Sequence, residues 1–377
     1  MKRRKFIKAI ACTPIIGANV SWSQQQAKNK YLVLIELKGG NDGLNTVIPY
    51  TDKIYYSKRP TISIASKDII KLNSEIGLHP SLNYLSELFT NNEMSIIQNV
   101  GYENPNKSHF KSIDIWERAS RNTKKNGWLY ELFNKNNPSR LIDAIVFSGS
   151  TGLLKGPNSN YIKVNSLHSF IKEAKLTVSS SGKYIAKNKN QQYLLNSNKL
   201  IKKVATSLES EIGQTKIKNI TNKTPLDRQL SQVSQLINAD INIPVFKVSI
   251  GGFDTHAEQR EGHKELLNEL DNALESFSTY LKQQGLWENT LVLTYSEFGR
   301  RIAENGNNGT DHGEASCMFC IGGNVKGGIY GGKIDLKNTH KDNLIYKVDY
   351  KEVYSTLEKK WFQVEHPTLS NTTIDFI

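Results

Sequence analysis

Five short stretches of this 377-residue chain hold the side chains with the most chemical capability. "LKGGNDG" places Asp42 just past a Gly-Gly turn, "NKSHFKS" offers Ser108 and His109, "FDTHAEQ" Asp254 and His256, "YSEFGRR" Glu297 and Arg300, and "NGTDHGE" Asp311 and His312. Each has an ordinary structural use by itself. An Asp after glycines is a turn residue or helix cap, a Ser at a helix start is an N-cap, and neighbouring Asp and His can hydrogen-bond with no metal present. Brought to one edge, however, Asp42, Asp254, Glu297, Asp311, His256 and His312 would repel or desolvate one another without a cation among them. Mixed carboxylate and imidazole donors suit Zn or Mn better than Mg or Ca, and the set is large enough for one or two divalent cations. A hydroxyl such as Ser108, at a helix N-terminus and beside a metal, can attack phosphorus or sulfur.

Such convergence needs a scaffold that brings distant segments together. Short apolar runs recur at 31–37, 94–102, 144–149, 245–252 and 291–299, each closed by Gly or polar residues, and they read as buried, parallel strands. Between them "SLNYLSELFTNN", "PLDRQLSQVSQLINAD" and "GHKELLNELDNALESFSTYLKQQG" have helical spacing, the last stopping at Gly285. Alternating strands and helices imply an α/β fold with a largely parallel central sheet and helices on both faces. In such sheets ligands bind at the carboxyl ends of the strands, where the first four stretches fall, Asp311 and His312 lying in the Gly-rich loop beyond the last. Residues 155–225, rich in Lys, Asn, Ser and Gln around a helical stretch, break the alternation and read as a helical insertion over one edge.

The first 23 residues are a separate object. Lys2, Arg3, Arg4, Lys5 and Lys8 precede an apolar stretch from Ala9 to Val20, with small residues at Ser21 and Ser23. This is the layout of a cleavable export signal, and its apolar part, about 12 residues, is shorter than the roughly 20 that a transmembrane helix needs. "RRKFIK" resembles the twin-arginine signal, so the expectation is export of a folded protein by that machinery to the periplasm or beyond, residues 24–377 forming one domain with no membrane span after cleavage. Five of the thirteen net positive charges lie in the signal, leaving +8 spread along the rest. That mild excess favours a small anionic substrate, and without a dense basic patch interleaved with aromatics it disfavours nucleic acid. Cys317 and Cys320, in "SCMFCIGG", sit three apart in a strand-like run and so face opposite ways; two unpaired core cysteines are expected.

"LIELKGGNDGLNTVIPY", "IIQNVGYENPNKSHFKSIDIWERA", "VFKVSIGGFDTHAEQREGHKELLNELDNALESF", "LVLTYSEFGRRIAENGNNGTDHGEASCMFCIGG" and "VDYKEVYSTLEKKWF", in this order, resemble the exported domain-of-unknown-function 1501 family. That family is similar in fold to the alkaline phosphatase and sulfatase superfamily of metal-dependent hydrolases. The resemblance implies Asp42 as a first-strand ligand, Ser108 as nucleophile, Asp254 and His256 as a ligand pair, Glu297 as a late strand-end ligand, and His312 as the final His near the first metal. It also exposes departures. Asp254 and His256 stand two apart where the superfamily usually has four, and Phe298 occupies the place of a ligand His, which leaves a second metal incomplete unless Asp311 or His312 replaces it. The sulfatase signature is absent, Asn136 standing where its Cys would be.

The resulting expectation is an exported, metal-dependent hydrolase of phosphate or sulfate esters, with Ser108 attacking, Arg300 pairing with the non-bridging oxygens and His109 in the catalytic set. The alternative is a non-catalytic exported metal- or anion-binding protein of the same fold. If Arg3 and Arg4 are the export recognition pair, replacing both with Lys retains charge but should leave precursor in the cytoplasm, as fractionation and immunoblotting would show; unimpaired export would refute the twin-arginine reading.

Overall fold

A strand can be apolar on both faces only where both faces are covered, and Tyr31–Lys38 (β1) is such a strand, buried at every position but Lys38. The computed structural model describes residues 29–136, 140–179, 186–212 and 223–377; the export signal expected over 1–23 lies outside them, as do parts of the expected insertion. The other strands of the main sheet are Met94–Gly101 (β2), Ala144–Val146 (β3), Tyr161–Lys163 (β4), Val245–Gly251 (β5), Thr290–Tyr295 (β6), Ser316–Gly322 (β7), Gly328–Tyr330 (β8) and Val348–Asp349 (β9). Their order is β8-β2-β7-β6-β1-β5-β3-β4, with β9 also paired to β2. The expected α/β fold with a largely parallel sheet is what the structure shows, β7 alone running antiparallel to both its neighbours.

Helices cover both faces: Asn83–Thr90 (α1), His109–Arg118 (α2), Trp128–Asn136 (α3), Leu167–Ser179 (α4), Lys189–Ile212 (α5), Pro225–Asn238 (α6), Gln259–Gln283 (α7) and Tyr350–Thr356 (α8). Local chemistry sets their limits. Thr224 and Asp227 form a reciprocal capping box at the start of α6, with Pro225 in its first turn. In α7 the buried residues His263, Leu267, Leu270, Leu274, Phe277 and Leu281 recur at three and four, one stripe against the sheet. Alternate residues of β1 feed two cores: Tyr31, Val33, Ile35 and Leu37 join one, Leu32 and Leu34 the other. Cys317 and Cys320 divide the same way and are both free and buried, so burial raises the Cys317 thiol to about 12 and holds Cys320 higher still. In the 155–225 stretch α4 and α5 follow the outer strand β4, and Leu167, Val204 and Leu208 enter the first core. Among the described residues no helix is long and apolar enough to cross a membrane.

The second core contains an ion cluster. Lys247 of β5, fully buried, places Nζ 2.9 Å from Glu36 of β1 and 2.5 Å from Glu117 of α2. It also donates to the Ser150 carbonyl at 2.9 Å. Desolvation raises the pKa of Glu36 despite the lysine. The cluster ties α2, whose first residue is His109, to the centre of the sheet. Removing one partner of a buried ion group strands the others without compensation, so Lys247→Met should cost about 3–5 kcal/mol in urea unfolding, and a further Glu36→Gln with Glu117→Gln should restore part of it.

Candidate metal centre

Because β1, β5 and β6 are adjacent and parallel, the segments that follow them meet at one edge. The Gly39-Gly40 turn permits the meeting: both have positive φ (+121° and +77°), and a Cβ on Gly39 would stand 2.3 Å from the backbone nitrogen of Asp254, one on Gly40 2.5 Å from the Phe298 ring. Arg300, buried, then stitches the segments together. Its Nε donates to the Gly40 carbonyl at 2.7 Å, Nη1 to the Thr310 carbonyl at 2.8 Å, and Nη2 to the carbonyls of Gly39 and of Phe253, the latter at 3.0 Å. Nη2 also reaches Asp254 Oδ1 at 2.7 Å. The expectation that Arg300 grips substrate oxygens is therefore corrected: its donors are committed to backbone carbonyls, and its effect on the site runs through Asp254.

Asp254 is the hub. Its side chain is 49% exposed, and Oδ1 lies 3.1 Å from His256 Nε2 and 3.2 Å from His312 Nε2, which are themselves 2.9 Å apart. Its other oxygen, Oδ2, faces His109 Nε2 at 3.4 Å. Partial burial works against ionisation of Asp254, but the hydrogen bond and charge of Arg300 outweigh it and pull the pKa down to about 2. Each imidazole has its far nitrogen directed. His109 Nδ1 is 2.6 Å from Glu297 Oε1, His312 Nδ1 2.8 Å from the Lys107 carbonyl, and His256 Nδ1 3.5 Å from Asp311 Oδ1. A carboxylate or carbonyl oxygen only accepts, so His109 and His312 carry their protons on Nδ1 and, when neutral, turn Nε2 lone pairs toward Asp254. Burial lowers the pKa of His312. The Phe298 ring packs against His109 and His312, centroids 4.9 and 4.6 Å away, and restricts their rotation.

The sequence-derived set thus divides. Asp254, His256 and His312 are brought together, and His109, expected among the catalytic groups, joins them: donor atoms of His109, Asp254 and His312 all lie within 4.8 Å of one another. Asp311 stands outside, accepting from Asn305 Nδ2 at 3.1 Å, the bond that chiefly lowers its pKa, and backing His256. Glu297, expected as a ligand, is buried and occupied by His109, the Gly39 N–H at 2.9 Å and the Ser296 hydroxyl at 3.1 Å. Asp42, expected as a ligand, is 1% exposed and taken by Arg59, whose Nη1 is 2.6 Å from Oδ2 and Nη2 3.1 Å from Oδ1; Gln259 donates to Oδ2 at 2.5 Å and the Leu44 N–H to Oδ1 at 3.2 Å. Burial would raise the Asp42 pKa, but Arg59 prevails and holds it below the usual carboxylate range. Ser108 precedes α2, exposed, and its hydroxyl makes no capping bond.

Donors around one tetrahedral zinc, bound at roughly 2.0–2.1 Å, stand about 3.3 Å apart. The spacings among Asp254 Oδ1, His256 Nε2 and His312 Nε2 are close to that value, and their directed far nitrogens are the usual support of imidazole ligands. These residues fit one cation. Among the described residues a second set does not form, since Asp42 and Glu297 are committed elsewhere and Phe298 offers no donor. Sequence reasoning missed Arg59, Gln259 and the Lys107 carbonyl. Only "SKRPT" could have drawn attention to the first, and a backbone carbonyl leaves no signal in a sequence.

Residues 185–361 match the model of a family described as "Protein of unknown function (DUF1501)", so the resemblance read from the motifs holds over that span. No curated protein is similar enough to match. Solved structures similar to this chain include Ps i-CgsB, at 12% identity, covering 92% of this chain and 76% of that one with a TM-score of 0.44. PsFucS1 sulfatase from Pseudoalteromonas sp. is also 12% identical, with coverage of 93% and 71% and a TM-score of 0.41. A protein in the alkaline phosphatase superfamily from Vibrio parahaemolyticus is 10% identical, with coverage of 81% and 63% and a TM-score of 0.34.

The two kinds of carboxylate should separate experimentally. Asp42→Ala strands the buried Arg59 and should cost about 3–5 kcal/mol in chemical unfolding while the folded fraction keeps its capacity for a divalent cation. Asp254→Ala should abolish uptake by the folded fraction, measured by calorimetry, and should also cost some stability because it removes the carboxylate beside the buried Arg300.

Proposed function

We propose that this chain is an exported hydrolase of phosphate or sulfate esters that works with a single divalent cation, zinc by preference, held by Asp254, His256 and His312. The observation that carries the reading is the mutual spacing of 2.9, 3.1 and 3.2 Å among three donors from two separate loops. A cation so held would act as a Lewis acid on an anionic ester and neutralise charge that develops on it. The chain's own residues do the rest. Arg300 fixes Asp254, the far-nitrogen partners fix each imidazole, and the N-terminus of the ten-residue α2 lies beside the donors through His109, its positive end suited to an anion. Ser108 is the hydroxyl proposed to attack, because it is exposed, makes no capping bond and adjoins His109 at that helix end. Export by the twin-arginine machinery remains part of the proposal on the strength of residues 1–23. The second reading, a cation-binding protein without catalysis, draws on the absorption of Asp42, Glu297 and Arg300 into structure.

Metal analysis of exported protein should give one ion per chain, and chelation should lower the melting temperature, because a ligand that binds only the folded state stabilises it. Asp254→Ala and His256→Ala should respond little to chelator. Ser108→Ala should abolish turnover of an activated aryl phosphate or sulfate while melting temperature and metal content stay as in wild type. A wild type that holds no metal and is unmoved by added Zn or Mn would reduce the cluster to hydrogen-bonded pairs. A metal-loaded wild type inactive on phosphate and sulfate esters alike would establish the binding-protein reading.

A further inference from the structure

We infer that His109 is a fourth ligand of the same cation, through Nε2, and that it occupies the position an ester oxygen must take, closing the site until substrate displaces it. The inference rests on the cation reading above and goes beyond it, since three protein ligands alone would leave an open position.

Three observations carry it. His109 Nε2 is buried and has no hydrogen-bond partner among the described residues, an arrangement that costs free energy unless the lone pair is used. Its Nδ1 is 2.6 Å from the buried Glu297 carboxylate, which also accepts the Gly39 N–H and so cannot turn away; this fixes the tautomer that leaves Nε2 able to coordinate and strengthens it as a donor. Finally, Nε2 stands 3.4 Å from Asp254 Oδ2, the oxygen beside the Oδ1 that faces His256 and His312; donor atoms of His109, Asp254 and His312 lie within 4.8 Å of one another, and the His109 ring lies edge-on to His312 at 4.4 Å between centroids, with Phe298 against both. Glu297 thus serves the cation through His109. A neutral imidazole whose Nε2 served only to hydrogen-bond Asp254 would need the proton that Glu297 places on Nδ1.

Four protein donors fill a tetrahedral shell, which is the arrangement of closed sites, whereas hydrolysis requires an exchangeable position. Of the four, His109 is the one at a helix start, next to the exposed Ser108 proposed to attack. Loss of His109 should therefore weaken the cation and strengthen the binding of an anion to it, the reverse of what deletion of an anion-contacting histidine would do.

Cobalt(II) titration of the full chain, followed in the visible spectrum, tests this without relying on turnover. Wild type should bind one equivalent with the intense bands of a four-coordinate ion. His109→Ala should still bind one equivalent, at least tenfold more weakly, with reduced bands that added imidazole restores. Glu297→Gln should keep the spectrum and weaken affinity by roughly ten- to a hundredfold. Inorganic phosphate should bind the cobalt form of His109→Ala more tightly than the cobalt form of wild type. Wild-type affinity and spectrum in His109→Ala, or weaker phosphate binding there, would overturn the inference while the three-ligand cation reading stands. A wild type that binds no cobalt, zinc or manganese would overturn both. Should His109→Ala fail to fold, Glu297→Gln decides the matter, wild-type affinity in that variant being the refuting result.

Discussion

The site depends on one buried guanidinium. Arg300 donates to carbonyls that follow β1 (Gly39 and Gly40), follow β5 (Phe253) and precede the paired Asp311 and His312 (Thr310), so three segments far apart in the chain share one rigid planar fork. A lysine could not do this, having a single point of attachment and no fixed plane. A charge so deep is tolerable because its donors are bonded and because its last contact is the Asp254 carboxylate. The consequence is that Asp254, on a loop and half exposed, has its oxygens aimed as firmly as if it stood on a strand.

Around that hub the structure sorts acids by burial. Asp42 and Glu297 are nearly inaccessible, and each of their oxygens is taken, by Arg59, Gln259 and a backbone amide in one case and by His109, Ser296 and a backbone amide in the other. An ionised carboxylate that deep requires such partners, and they compete with any cation for its oxygens. Asp254 and Asp311 lie on loops near solvent, and of the two only Asp254 meets the Nε2 atoms of His256 and His312. The outer acids are better understood as supports, Glu297 for His109 and Asp311 for His256, with the Lys107 carbonyl doing the same for His312.

The second anchor lies under the sheet. Lys247 bridges Glu36 and Glu117, joining β1, β5 and α2, and so sets where α2 begins relative to the strand ends. Its register is local: Leu34 pairs with Lys247 and Glu36 with Ser249, which puts Glu36 and Lys247 two steps apart on the same face of adjacent strands. The ion cluster therefore places the start of α2, and Glu297 directs the resting orientation of the His109 ring.

Much of this was legible in the sequence. Apolar runs closed by glycine identified β1, β2, β5 and β6 and the parallel sheet, because burial on both faces demands apolar residues whatever the rest of the chain does. Helical spacing of three and four located α6 and α7. The rule that ligands bind at strand ends put Asp254, His256 and His312 at one edge, where their side chains do meet, and the three-residue spacing of Cys317 and Cys320 put them on opposite faces. What composition and spacing could not decide was which oxygen or nitrogen faces which. Asp42 and Asp254 are the same residue type after a similar glycine turn, yet Arg59, an arginine 17 positions beyond Asp42, captures one and Arg300 merely steadies the other. Glu297 and His109, far apart in the chain, are assigned their roles by a single 2.6 Å contact. Residue types fix what a side chain is able to bind, whereas its partner is chosen by distance, burial and competition among neighbours, and those exist only once the chain has folded.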